Sequence, residues 1–306
     1  MEPDPTNTKR KVVFVLLGMH RSGTSLTMSV LQSLGIDCGA ALIPAGRGNV
    51  AGFWENREIV AVQEELLTAM DRVWHGPRGT FPLPGNWLQS PAAARAKKRL
   101  VGIVEKGISE SDGIWGFKDP RTCRLLPLWR EVFRETDVEP VFILSVRHPS
   151  AVSASLARHN GMSLQRGRLA WLVHNLDVLR YCGDDLLLVA DYDQLVEHTA
   201  LEVERLAQAL GSFSSVSAEQ KAAAVARVST ELRSHSKAHE QILNPVLCAC
   251  YEGLQGLSRG NPKSETLAQL EENWPHLENL LEPWRTDTRP LLVDWVLRLI
   301  LRRKYS

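Results

Sequence analysis

Two short stretches carry residue types and spacings suited to holding a phosphate-like anion. The first is Gly18-Met-His-Arg21-Ser22-Gly23-Thr24-Ser25. Its two glycines let the backbone approach a ligand closely, and Arg21 supplies a cation. The second is Arg147-His-Pro-Ser-Ala-Val-Ser-Ala-Ser155, an arginine followed eight residues later by a serine. With the arginine at a strand end and the serine about two turns into a helix, both can close on one phosphate. The guanidinium would bind as a fork and the hydroxyl by a single bond, with Ser153 as the neighbouring hydroxyl if the register slips. The first loop departs from the phosphate loop of nucleotide kinases at a decisive position. That motif places Lys after its second glycine to reach the β- and γ-phosphates, whereas Thr24 follows Gly23 here. A cradle without that lysine suits a nucleotide with a short anionic 5′ group.

These residues need strands to carry them and helices to receive them. Val12 to Leu17 is an apolar, β-branched run that predicts a strand buried on both faces. Leu26, Val30, Leu31 and Leu34 then recur at helical spacing, so Gly23-Thr24-Ser25 falls where a helix begins. The theme repeats. Residues 113–117 predict a strand running into Lys118-Asp-Pro-Arg121 and a helix through Leu125, Leu126, Trp129 and Val132. Residues 140–146 run into Arg147-His-Pro149, and 185–190 into Asp191-Tyr192. Alternating strands and helices predict an α/β fold, a doubly wound parallel sheet flanked by helices, with ligands at the strands' C-terminal ends. Ile59, Val62, Leu66 and Leu67 predict a helix with Glu55 at its start, and 91–106 another. A helix over 202–210 closes the core, with Gly211 as its stop. Gly35 to Ala51 reads as a long loop over the sheet. Trp74 to Pro91 reads as an irregular segment whose Trp74, Phe81 and Trp87 give it aromatic surface, either an acceptor-binding lid or an ordinary packed loop.

The 306 residues are 44% hydrophobic with a formal net charge of +1. That allows a sizeable core and argues against nucleic acid as the main partner. The five cysteines, Cys38, Cys123, Cys182, Cys248 and Cys250, show no Cys-x-x-Cys spacing, so reduced structural thiols and no metal are expected. The polar start, Met1-Glu-Pro-Asp-Pro-Thr, carries no signal-peptide pattern, and a cytoplasmic protein is expected. Residues 1–306 read as one domain, with an α/β core over 11–211 and a helical extension over 212–306. Helical patterns lie near 218–227, 237–256, 264–281 and 288–302. In the last, Leu292, Trp295, Val296, Leu299 and Ile300 form an apolar stripe, and Arg298, Arg302, Arg303 and Lys304 gather at its basic end. Such a helix packs on its own domain or on a homo-oligomer partner, or lies peripherally on an anionic membrane.

Both loops resemble those of the sulfotransferases that use 3′-phosphoadenosine-5′-phosphosulfate (PAPS). Arg-Ser-Gly-Thr-Ser after a buried strand is similar to the family's 5′-phosphosulfate loop, and Arg147 with Ser155 matches its 3′-phosphate motif. The resemblance covers residues 11–211. It implies PAPS as co-substrate, bound by Arg21, Ser22, Gly23, Thr24, Ser25, Arg147 and Ser155, and sulfuryl transfer to an acceptor hydroxyl without a metal. Lys118-Asp-Pro resembles a segment of tyrosylprotein sulfotransferases whose lysine stabilises the reacting group. Tyr192, in Ala-Asp-Tyr-Asp-Gln-Leu, resembles a segment whose tyrosine helps hold adenine. Arg21 in place of the lysine of the estrogen and phenol branch is similar to the tyrosylprotein and bacterial branch, which implies a carboxylate base.

That branch carries its base soon after the first helix, and the corresponding part of this chain, near Ala41 and Leu42, has no acid. Glu55 is the next plausible carboxylate. The preceding Gly52-Phe-Trp is expected to desolvate it and raise its pKa, and Glu58 is the alternative. The Arg-Lys-Gly segment that completes the 3′-phosphate site in many relatives is absent, and Arg233 is the only substitute identified, with no motif behind it. The acceptor implied is a carbohydrate or glycolipid hydroxyl. Two other classes of function stand beside this one. An ATP-dependent small-molecule kinase is weakened by Thr24, and a non-catalytic nucleotide-binding module would keep the loops without turnover.

Overall fold

The computed structural model describes residues 10–46, 52–228 and 244–261. Four strands, β1 (Val12–Leu17), β2 (Ile114–Lys118), β3 (Glu139–Val146) and β4 (Leu186–Asp191), form a parallel sheet in the order β2-β1-β3-β4. Around it run α1 (Thr24–Ser33), α2 (Arg57–Ala69), α3 (Pro91–Glu110), α4 (Thr122–Thr136), α5 (Pro149–Asn160), α6 (Leu164–Cys182), α7 (Tyr192–Glu197), α8 (Thr199–Leu210), α9 (Ala218–Ala226) and α10 (Pro245–Ser258).

Every residue of β1 is apolar because both faces of the sheet are covered. Val13, Val15 and Leu17 enter one core with Phe117, Phe142 and Leu144, roofed by Leu66 of α2, Leu100 of α3, Trp129 of α4 and Trp171 of α6. The alternate residues Val12, Phe14 and Leu16 enter a second core with Val141 and Ile143, under Met28 of α1, Leu195 of α7, Leu206 of α8 and Ala224 of α9. This is the doubly wound α/β sheet that the strand pattern predicts.

Topology places the crevice. The chain passes from β1 to β2 on one side, and α4 then carries it back past β1 to β3 on the other. The winding reverses between β1 and β3, so the connections diverge there and leave an opening at the strands' C-terminal ends. Register brings Leu16 beside Lys118, Leu17 beside Leu144 and Val146 beside Asp191. Gly18, Lys118, Arg147 and Tyr192 therefore share one edge of the sheet.

Several expectations change. Trp74 and Trp87 are each only 8% exposed and belong to the first core, so they do not make the aromatic surface expected of that segment. Large apolar rings cost too much to leave in water when a core lies beneath them. The helix α8 ends at Leu210 with Gly211 as its C-cap, as the sequence predicts, although Gly211 is right-handed at φ −57. The helix α6 has no counterpart in the sequence reading. Within the 237–256 pattern the described part begins at Asn244, whose side chain caps α10 by accepting from the Val246 and Leu247 amides. The patterns at 264–281 and 288–302, and with them the basic amphipathic helix, lie outside the described residues. No helix among the described residues is long and apolar enough to cross a membrane.

Candidate anion-binding and catalytic site

The first loop folds around two close approaches. At Gly18, φ is 141°, and a Cβ would fall 2.5 Å from the Ser145 carbonyl oxygen of β3. At Gly23, φ is 86°, and a Cβ would fall 2.2 Å from the Tyr192 ring. Side chains at either position would push the loop off the sheet. Between them Arg21 adopts φ 70°, an uncommon state for a residue with a side chain, held by its surroundings. The Ser22 amide donates to the Met19 carbonyl, and Ser145 Oγ donates to the Ser22 carbonyl at 2.9 Å. Gly23 caps α1 without a side-chain hydrogen bond, whereas Asn56 caps α2 by accepting from the Glu58 and Ile59 amides. The first turn of α1 thus keeps donors for an outside acceptor. Ser22 Oγ is fully buried beside it without a hydrogen-bond partner.

The second motif arrives at the same place. Arg21 Nε donates to Ser155 Oγ at 2.9 Å, across 134 residues of chain. The Arg147 guanidinium lies over the Tyr192 ring, 4.3 Å from its centroid, and its buried Nε has no hydrogen-bond partner. A cation on an aromatic face contributes roughly 0.5–2 kcal/mol. Arg21, Ser155, Arg147, Tyr192 and Gly23 therefore surround one point. The pKa of Arg21 is lowered, first by burial and then by the fields of Arg147 and Arg158. Among the described residues no carboxylate forms an ion pair with Arg147 or Arg158. Like charges brought close together cost free energy, and an anion between them would offset that cost. Ser153, the alternative to Ser155, is turned away and donates to the Ser150 carbonyl.

On the opposite side of β1 lies a closed network. Lys118 Nζ donates to Glu55 Oε1 at 2.7 Å, with side chains 3% and 10% exposed. Arg121 contacts Glu64 at 2.5 Å and Asp119 at 2.8 Å, and stands 3.7 Å from Glu55 Oε2. Gln63 donates to Asp119 Oδ2 and accepts from Trp129 Nε1. Burial opposes the Arg121 charge, but Asp119, Glu64 and Glu55 outweigh it, and its pKa is raised. Glu55 sits just before the cap of α2 and points inward rather than serving the helix dipole. Two cations face it, so the apolar setting expected from Gly52-Phe-Trp is not what surrounds the carboxylate. Its Oε2 is too far from Arg121 for a hydrogen bond and accepts none from the described residues. Glu58 is exposed on the outer turn.

The two sides are joined through the loop. Ser25 Oγ donates to the Phe53 carbonyl, two residues before Glu55, and Trp54 between them takes φ 58°. The Gly18 amide donates to Cys123 Sγ in the first turn of α4. His20 stacks on Trp74 with centroids 3.9 Å apart, and its Nε2 is buried without a partner. Its pKa is well below the usual range through burial, followed by the fields of Arg121, His174, Lys118 and His75. His148 accepts from the Ser150 amide and so caps α5.

The sequence reading missed Arg121 as a site residue, although it quoted the segment Lys118-Asp-Pro-Arg121 that contains it. Arg233 lies outside the described residues. Among the described residues no cluster of His, Cys, Asp and Glu could hold a metal. A groove of about 650 Å³ along the outer edge of β4, lined by Leu187, Leu201, Glu202, Arg205 and Asn261, contains none of these residues. Its Arg205 is already paired with Glu202.

No family model and no curated protein matches the sequence. Among solved structures, the chain is similar to the sulfotransferase domain from the Synechococcus PCC 7002 olefin synthase. That match has a TM-score of 0.43 and 15% identity, over 89% of this chain and 97% of that one. It is also similar to the sulfotransferase domain from the curacin biosynthetic pathway, with a TM-score of 0.41 and 13% identity over 87% and 98% of the two chains.

Proposed function

We propose that the protein is a sulfotransferase that moves a sulfuryl group from PAPS to an acceptor hydroxyl. The observation that carries this reading is the Arg21–Ser155 hydrogen bond. It joins two anion motifs, found separately in the sequence, beside the unpartnered Arg147 Nε and Ser22 Oγ. A nucleotide with one anionic group at each end of its ribose needs two such sites close together. The open first turn of α1, Ser22 and Arg21 would hold the 5′ group, Arg147 and Ser155 the 3′-phosphate, and Tyr192 the base. PAPS supplies an activated sulfuryl group there.

The chain's own part is positioning and electrostatics. Glu55 Oε2, free of hydrogen bonds, is placed to take the proton of an acceptor hydroxyl, while Oε1 stays with Lys118. Lys118 holds its cation at the end of β2, near enough to the loop for its field to reach His20, and stabilises charge that grows on the reacting group. A carbohydrate or glycolipid acceptor is the narrower reading. It now rests mainly on the carboxylate base, since Trp74 and Trp87 are buried and only the half-buried Phe81 of that segment is left to face a sugar. One observation favours a second reading, a nucleotide-binding module without turnover: Glu55 and Lys118 are paired directly, each neutralising the other.

Incubation of the full chain with PAPS and a glycan or lipid extract separates the two. The sulfotransferase reading expects a mass increase of one sulfuryl group on an acceptor, with release of 3′-phosphoadenosine-5′-phosphate (PAP). Tight PAP binding without any modified product would support the module instead.

A further inference from the structure

We propose that Arg158, one helical turn beyond Ser155, is the third binding residue of the 3′-phosphate pocket and replaces the missing Arg-Lys-Gly segment. The inference rests on the PAPS reading above.

Ser155 faces the first loop, because its hydroxyl accepts from Arg21 at 2.9 Å. Residues three and four positions along a helix share a face, so Arg158 and His159 continue the Ser155 face towards the end of α5. Both are exposed at the rim of the cluster. The field of Arg21 is the largest cause lowering the pKa of His159, followed by slight burial and Arg158, and Arg158 in turn lowers that of Arg21. The three groups are therefore neighbours across the loop and the helix. Among the described residues Arg158 has neither ion pair nor hydrogen bond. A long cation left without an acid, within the field of Arg21, suits a doubly charged guest, which Arg147 and Ser155 alone would neutralise incompletely.

A cation in the last turn of α5 also suits the helix dipole. That structural role predicts a lower thermal midpoint for Arg158→Ala with no change in nucleotide preference. Calorimetry on the full chain decides between them, with PAP and AMP as probes for the unmodified protein, Arg158→Ala and Arg158→Lys. The expected result is a loss of about tenfold in PAP affinity for Arg158→Ala, the size of one exposed charge-assisted contact. AMP affinity should be unchanged, and Arg158→Lys should recover part of the loss. An unchanged ratio of PAP to AMP affinity in Arg158→Ala overturns the assignment of Arg158 and leaves the donor reading intact. Equal binding of PAP and AMP by the unmodified chain overturns the donor reading and this assignment with it.

Discussion

The two sides of β1 hold charge in opposite ways. Beside Gly23, Arg21 lies in the fields of Arg147 and Arg158, and the buried Arg147 Nε and Ser22 Oγ remain unpartnered. Across the strand, Lys118 and Arg121 meet Glu55, Glu64 and Asp119, with Gln63 satisfying a remaining carboxylate oxygen. On the proposed reading, the first arrangement would be completed by an anion. The second is nearly saturated: among the described residues, Glu55 Oε2 and the outer oxygen of the part-exposed Glu64 are the carboxylate oxygens left without a hydrogen bond. An incomplete cluster is what a binding site needs, and a saturated one keeps a reacting group in place. A single loop, 18–25, ties the two together through Ser25, Gly18 and His20.

The contrast breaks first at Glu55. Glu55→Gln keeps the shape but removes the proton acceptor, and should lower turnover by roughly 10²–10⁴-fold with PAP affinity nearly unchanged. Single-turnover assays and calorimetry on the same preparation check both halves, and near-normal turnover would move the role to Glu58. Arg121 and Arg147 provide the next contrast. Arg121→Ala removes the cation shared by Glu64, Asp119 and Glu55 from a buried network and should cost about 3–5 kcal/mol of unfolding free energy. Arg147→Ala relieves like-charge repulsion and should stay within about 1 kcal/mol of the parent. Denaturant titrations of both variants measure this, and equal losses would show that the clusters do not differ as described.

A smaller effect concerns acid. Burial, then Arg124, pushes the His174 pKa down to about 3. The folded protein therefore keeps it neutral while the unfolded chain binds a proton below about 6.5. Its contribution to stability is full above that pH and is lost as pH falls towards the folded value, by at most about 2 kcal/mol at pH 5. His174→Asn should flatten the fall in thermal midpoint between pH 7.5 and 5. An unchanged slope would remove His174 as its source.

The strands were legible because each is a short, mostly apolar run ending in a motif, and the β-branched β1 spans Val12–Leu17 as the pattern reads. The helix α6 was not. Ala170, Trp171, Leu172, Val173, Leu176, Val178 and Leu179 are all buried, so apolar residues ring the helix and erase the one-sided stripe that reveals surface helices. The site was legible as motifs and illegible as contacts. Arg21 and Ser155 were each identifiable, yet their bond spans 134 residues, and local spacing carries no information across that distance. Lys118 and Glu55 likewise meet across 63 residues. The aromatic segment misled because composition does not reveal which way an irregular loop turns its tryptophans.

Affinity for PAP compared with AMP, measured by calorimetry on the full chain and on Arg147→Ala, tests most directly whether the incomplete cluster is a nucleotide site. The account predicts PAP tighter by about 2 kcal/mol or more, roughly 30-fold, for a charge-assisted pair of contacts to the 3′-phosphate. Arg147→Ala should lose that preference while keeping its fold. Equal affinities in the unmodified protein, or a preference that survives in Arg147→Ala, would contradict it.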